Sequence, residues 1–252
     1  MGLELTILGS GCFAPGRGRP VRNPAGHAVR AGESLVLFDL GFGNVRQLAR
    51  ARLPPEDVSD VFLTHVHPDH CGDLPALLFL FRCDRKPRSG RLRVWGPSGA
   101  RELVAGLCRA WRPWLDPRGY ALEVRELGDG GQAAGADWVV EAKKVPHTAP
   151  ALAYRLTRGA SSLVYTGDTE YDESIAAFAS SCGLLLVECT SDEDDAVPGH
   201  LSPRQALELV RRSGCREALL THLSDASAAA AARLLPGEPR AALARDRMRR
   251  KI

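Results

Sequence analysis

The sequence has no apolar run long enough to span a bilayer. Its longest, Leu35–Phe38 and Leu74–Phe81, fall far short of the ~20 residues that a membrane helix needs. No N-terminal leader is expected. Met1–Leu8 reads as a strand opening directly into Gly9, without the basic start and apolar core of a secretory signal. No membrane association is expected. The seven cysteines (12, 71, 83, 108, 182, 189 and 215) are odd in number and contain no Cys-x-x-Cys pair. That excludes a disulfide framework and a thiolate-based structural zinc site, and it fits a reducing, cytoplasmic location. A large charge excess is also missing. The net charge of +3 is compatible with an anionic substrate but too small to argue for nucleic acid.

What remains is an ordinary globular composition, 44% hydrophobic and 25% charged over 252 residues. No low-complexity linker interrupts it, so residues 1–252 are read as a single domain. Strand-like segments are expected at Leu3–Leu8, Ser34–Asp39, Ser59–Thr64, Leu92–Trp95, 121–127, 137–145, 151–157, 162–166, Leu184–Glu188 and Glu217–Thr221. Residues 9–32 read as one long loop rich in glycine, proline and arginine. Helices are expected at Asn44–Ala51, after Asp73, from Ser98 to about Trp111, and from Asp172 to about Ser180. Ser202-Pro203-Arg204-Gln205 has the capping-box spacing with proline at the first helical position, and Gly214 closes that helix. Asp225 is expected to cap an alanine-rich helix, and the arginine-rich tail after Pro239 reads as a short surface helix. Ten or more strands with helices between them suggest two packed sheets with helices outside.

The strongest chemical signal is Thr64-His65-Val66-His67-Pro68-Asp69-His70. Three of the seven histidines fall here, beside a carboxylate. Neutral imidazole and carboxylate are the ligands zinc takes when thiolate is absent. The segment follows a strand, so alternation points His65 and His67 the same way. Pro68 keeps His67 out of the helical region. One ion cannot easily take all four groups at this spacing, so two adjacent ions are expected. Further ligands are available at later strand ends: His147, Asp168 after Gly167, and His222.

His65, His67, Asp69, His70, His147, Asp168 and His222, in that order, resemble the metallo-β-lactamase superfamily. The resemblance spans about residues 3 to 225. It implies an α+β, four-layer αββα sandwich with two zinc ions, or manganese, at one edge of the sheets. By position, one ion takes His65, His67 and His147, the other takes Asp69, His70 and His222, and Asp168 bridges.

Leu8-Gly9-Ser10-Gly11 with Arg22-Asn23, and Asp39-Leu40-Gly41, are similar to the N-terminal signature of ribonuclease Z-like proteins. Asp39 would brace the histidine-rich loop. Glu188 and Gly199-His200-Leu201-Ser202 resemble the glutamate and catalytic histidine of that branch. A carboxylate partner keeps an imidazole protonated, and an alkoxide leaving phosphorus needs a proton donor. The expected catalytic residues are therefore Asp69, which positions or deprotonates the attacking water, His200 and Glu188.

Two departures argue against precursor-tRNA processing. The chain between Trp95 and the following strands has no room for the long tRNA-binding arm of true ribonuclease Z. Phe42 also stands where that family typically has glutamate. The phosphonate-degrading branch, with a cysteine-based structural zinc near its N-terminus, is disfavoured because only Cys12 lies there. The expected activity is a phosphodiesterase acting on cyclic nucleotides or small nucleotide-like esters, with RNA less favoured. A ribonuclease Z-type tRNA 3′ endonuclease and a thioesterase or lactonase are the alternatives. The resemblance further implies a homodimer. Arg17, Arg19, Arg22 and the 82–91 loop arginines are candidates for phosphate binding, with an equal case for solvated side chains. His27 has no assigned role, and Cys71 reads as packed rather than as a ligand.

Overall fold

The computed structural model describes residues 2–14, 21–83, 89–147, 150–193 and 196–252. β1 (Leu3–Gly9), β2 (Gly26–Ala31) and β3 (Ser34–Leu40) form an antiparallel meander. α1 (Asn44–Arg50) leads to β4 (Val58–Phe62), parallel to β3. α2 (Pro68–Cys71) and α3 (Leu74–Cys83) precede β5 (Arg91–Gly96), and α4 (Ala100–Ala110) precedes β6 (Ala121–Glu126). β7 (Gln132–Ala134), β8 (Val139–Val145), β9 (Ala151–Arg158) and β10 (Ser161–Tyr165) form a second antiparallel run. The chain then passes through α5 (Glu173–Phe178), β11 (Leu184–Glu188), α6 (Pro203–Ser213), β12 (Glu217–Thr221), α7 (Asp225–Leu234), β13 (Ala241–Leu243) and β14 (Arg249–Lys251).

Two seven-stranded sheets result, in the orders β14-β1-β2-β3-β4-β5-β6 and β13-β12-β11-β10-β9-β8-β7. The sheets stack on one another, with helices on both outer faces. The pattern follows from side chains that are apolar on both sides of the central strands. In β3, Val36 and Phe38 face the inter-sheet core while Leu35 and Leu37 pack under α1, α3 and α4. In β11, Leu184 and Leu186 face the same inter-sheet core while Leu185 and Val187 meet α5, α6 and α7. This is the four-layer αββα sandwich expected from the sequence.

Several local expectations are corrected. The 9–32 loop ends at Ala25, because residues 26–31 form β2 between β1 and β3. Its His27 and Arg30 disguise a strand whose backbone is paired on both sides. α4 starts after Gly99 in a left-handed conformation, without a Ser98 side-chain cap. Asp73 lends its carboxylate to Val45 N, at the start of α1. Ser224, not Asp225, caps α7, through a reciprocal box with Ser227. The tail forms edge strands rather than a helix: β13 lies parallel to β12 and β14 antiparallel to β1. Positive charge on β14 is a usual device for protecting a sheet edge. The expected boxes at Ser202 and Asp172 are present.

Leu186 is fully buried between the sheets. Leu186→Ala is expected to cost about 2–5 kcal/mol in a denaturant-unfolding measurement, and Ser202→Ala about 1 kcal/mol.

Candidate metal centre

The parallel strands bring their C-terminal ends to one edge of the sandwich. Asp39 is the penultimate residue of β3, β4 runs into His65, β10 into Asp168 and β12 into His222, while β11 ends at Glu188. β8 is antiparallel to β9, and β9 to β10, so the β8–β9 turn carrying His147 lies at the same edge. The two sheets are tied together there. Leu152 N donates to Thr64 O (2.9 Å) and Tyr154 OH donates to Leu63 O (2.8 Å). Gly167 has φ 58°, and a Cβ there would lie 2.7 Å from Thr64 Cβ, so only glycine lets this turn pass so close. Asp39 (φ 58°) and His222 (φ 54°) adopt the left-handed region without being glycine, as strained residues at functional sites do.

The structure places all seven candidate ligands together. Ligand atoms of His65, His67 and His147 lie within 4.8 Å of one another, and so do those of Asp69, His70 and His222. Asp168 is common ground: its Oδ2 is 3.7 Å from His65 Nε2, 3.1 Å from His70 Nε2 and 3.6 Å from His222 Nε2. His67 precedes Pro68 in extended backbone (ψ 146°), and its ring lies 4.5 Å from that of His65.

The surroundings dictate the tautomers. His70 Nδ1 donates to Asp39 Oδ2 (2.8 Å), and His147 Nδ1 donates to Gly199 O (2.9 Å). Thr64 Oγ1 donates its proton to Asp39 (2.9 Å) and so accepts from His65 Nδ1 (3.0 Å). Thr190 Oγ1 donates to Glu188 Oε2 (2.9 Å) and accepts from His222 Nδ1 (2.7 Å). Each ring therefore turns an Nε2 lone pair inward. His70 Nε2 faces His222 Nε2 at 3.1 Å, acceptor against acceptor, beside Asp69 and Asp168. Among the described residues, His65 Nε2 and Asp168 Oδ1 are buried without a hydrogen-bond partner. A buried set of acceptors with no donor is unstable unless a cation joins it, so the residues present fit divalent metal ions.

Charge effects show the same need for positive charge. Burial opposes a charged His70, but Asp168 and Asp39 outweigh it and hold its pKa well up, so without a metal ion a proton on this ring supplies that charge. Burial likewise opposes a charged Asp168, and His222 and His70 hold it well below the usual carboxylate range. Burial pushes the His65 and His147 imidazoles down, toward the neutral form that ligates metal. Asp39 braces the whole loop. Its carboxylate accepts from Thr64 N (2.8 Å), Thr64 Oγ1, His70 and Tyr165 OH (2.8 Å).

Glu188 and His200 meet beside this cluster. His200 Nδ1 lies 2.9 Å from Glu188 Oε1, and its ring stacks on that of His222. Burial alone would lower the His200 pKa, but Glu188 raises it. Glu188 is itself held by Thr169 N and Thr190 N. A cavity of about 740 Å³ opens at His200, with Glu170, Tyr171, Asp192 and Val197 in its wall.

Thr190, the Gly199 carbonyl and Tyr165 are contributors that sequence reading missed. Nothing in their local sequence marks them, because their roles come from strands and loops far apart in the chain. The Arg22 guanidinium donates to Ser10 Oγ and Ala244 O. Arg17, Arg19, Arg85, Lys86 and Arg88 lie outside the described residues. His27 is buried, with its ring edge-on to Tyr165, and burial pushes its pKa down to about 3. Cys71 is packed, its thiol against His67 O and its pKa pushed by burial to about 12.

Asp39→Asn keeps the shape and tolerates the left-handed backbone but removes the charge behind His70. Divalent-metal affinity, read by competition with a chromogenic chelator, is expected to fall about 10–100-fold. Wild-type affinity in the variant would remove Asp39 from this role.

Comparison with known proteins agrees with this geometry. Residues 35–223 match the model of the beta-lactamase superfamily domain. Ribonuclease Z of Methanothermobacter thermautotrophicus is 28% identical over an alignment of 276 residues covering 88% of this chain and 87% of the relative. Among solved structures, the metallo-β-lactamase fold protein YhfI of Bacillus subtilis has a TM-score of 0.83 at 21% identity, covering 100% of both chains. The short form of human tRNase Z has a TM-score of 0.79 at 22% identity, covering 98% of both. The chain belongs to the beta-lactamase superfamily, in its ribonuclease Z-like branch, and is a metal-dependent hydrolase.

Proposed function

We propose that the protein is a dinuclear-metal phosphodiesterase acting on cyclic nucleotides or other small nucleotide-like esters. The observation that carries the reading is the Glu188–His200 pair set against the ligand cluster. Esters and lactones with good leaving groups do not need such a proton donor, whereas an alkoxide leaving phosphorus does.

In this reading His65, His67 and His147 hold one ion, Asp69, His70 and His222 the other, and Asp168 is shared. Zinc is the expected metal, and manganese suits the same nitrogen and oxygen donors. When bound, such a pair supplies Lewis acidity, which lowers the pKa of water and neutralises charge on phosphoryl oxygens. Asp69, buried within 3.4 Å of His222 Nε2, orients the attacking water and takes up its proton. Glu188 engages His200 Nδ1 and keeps the ring protonated, so His200 delivers a proton to the departing oxygen.

A small substrate is supported by what the chain omits. Only residues 111–120 connect α4 to β6, too few for a long arm. The alignment to ribonuclease Z runs to 276 residues while using 88% of this 252-residue chain, so the relative has segments with no counterpart here. The cavity at His200 also presents Glu170 and Asp192, an unfavourable mouth for a polyanion. A second reading, tRNA 3′ processing, is supported by the relatives named ribonuclease Z. A homodimer belongs to the same proposal. The exposed cluster of Phe79, Trp111 and Trp114 is the apolar face suited to it.

Metal-loaded protein is expected to contain about two equivalents of zinc or manganese by elemental analysis and to hydrolyse bis-p-nitrophenyl phosphate. Absence of hydrolysis with both metals bound would overturn the reading. His200→Ala, with metal content retained, is expected to slow cleavage of alkoxide-releasing nucleotides about 100-fold or more. Its effect on p-nitrophenyl esters should be smaller, because nitrophenolate departs unprotonated. A parallel assay of cyclic nucleotides, linear dinucleotides and a precursor tRNA separates the two substrate readings.

A further inference from the structure

The molecule has a second polar cavity that the proposed reaction does not use. It measures about 420 Å³ and is lined by Arg22, Arg50, Arg245 and Arg247, with Gln47 and Asp246. Four arginines and one aspartate thus line the cavity, and the carboxylate is already engaged. Asp246 Oδ1 accepts from Ser10 N (3.0 Å) and Ser10 Oγ (2.8 Å), while Oδ2 accepts from Asn23 N (2.8 Å) and Gln47 Nε2 (3.3 Å). Among the described residues, Arg50, Arg245 and Arg247 form no ion pair. Arg247 sits at φ 65°, in a tight turn closed by Met248 N donating to Arg245 O (3.0 Å). A left-handed non-glycine residue is uncommon, and here it holds two arginines at the cavity rim.

Gln47 adds an independent observation. Its Nε2 faces Asp246, which sets the orientation of the amide. Among the described residues its Oε1 is buried without a partner. The cavity therefore offers several cationic donors beside an anchored carboxylate. Arginine forks match phosphate oxygens.

The cavity stands close to the metal centre. Ser10, in its wall, accepts from Leu223 N (2.9 Å), and Leu223 follows His222. Two residues on, Cys12 N donates to Leu223 O (3.3 Å). Burial raises the Cys12 thiol pKa, and Asp69 and Asp168 push it the same way. The short Ser10–Cys12 segment thus has arginines at one end and the ligand carboxylates at the other.

We propose that this cavity binds a second, unreacted phosphate of the substrate, held by the arginine side chains that line it. The proposal rests on the phosphodiesterase reading and narrows it. Substrates with a terminal phosphate beside the scissile diester are selected over those with a single phosphate.

The test compares the diadenosine dinucleotide with and without a 5′-phosphate. In the wild type, KM for the phosphorylated form is expected to be about tenfold lower. Arg245→Gln/Arg247→Gln should bring the two values together. Arg101→Gln/Arg109→Gln, an equal charge change on the outer face of α4, should preserve the preference. Equal KM values in the wild type, or a preference that survives in Arg245→Gln/Arg247→Gln, would overturn the proposal. If neither dinucleotide is cleaved, titration of metal-loaded protein with inorganic phosphate decides. Two sites in the wild type and one in Arg245→Gln/Arg247→Gln support the cavity, and equal numbers overturn it. Failure of the broader reading shows separately, as absent hydrolysis of bis-p-nitrophenyl phosphate.

Discussion

Imidazole nitrogens and two carboxylates, crowded together at one buried edge of two sheets and in need of positive charge, are the constraint around which this protein is arranged. Such a set is costly in a low-dielectric interior unless positive charge joins it. The same geometry that would be unfavourable by itself therefore creates affinity for a divalent cation. Asp39 and Thr190 make it definite. By engaging each Nδ1, they and Thr64 leave Nε2 no option but to face inward. A freely rotating imidazole could instead satisfy itself with water.

The sandwich is what allows so many polar groups to meet without exposing the core. Strands apolar on both faces stack in the middle, and their side chains carry no chemistry. Only the residues just past the C-terminal ends of parallel strands escape the packing, and there the chain must turn. The site collects its groups from those turns, at some backbone cost at Asp39 and His222. Hydrogen bonds such as Tyr154 to Leu63 O lock the sheets across the gap, so ligands from different sheets keep their distances.

Charge is unevenly spread around this edge. The mouth beside His200 is acidic, and the cavity behind Ser10 is rich in arginine. A proton donor gains from an acidic neighbourhood, because nearby carboxylates favour its charged form. A phosphate gains from guanidinium groups held a short distance away. The modest net charge of the whole chain conceals this division, which exists only because residues near 22, 50 and 245 are folded against one another.

The sequence alone determined the family of chemistry and the layer plan. Three histidines and an aspartate within His65–His70, and later His147, Asp168 and His222 each just after a strand, were legible because ligand type and strand-end position are local properties. The doubly apolar strands Ser34–Asp39 and Leu184–Glu188 were legible for the same reason. Tertiary structure decided what depends on distant neighbours. Residues 26–31 became a strand because β1 and β3 flank them, although His27 and Arg30 look like loop. The arginine-rich tail paired with sheet edges instead of coiling as a helix. Arg22 went to Ser10 and the 244–247 turn, and Thr190 became the partner of His222. Local patterns record burial and turn propensity, whereas hydrogen-bond partners hundreds of residues apart are set only when packed layers fix which backbone and side-chain groups come within reach.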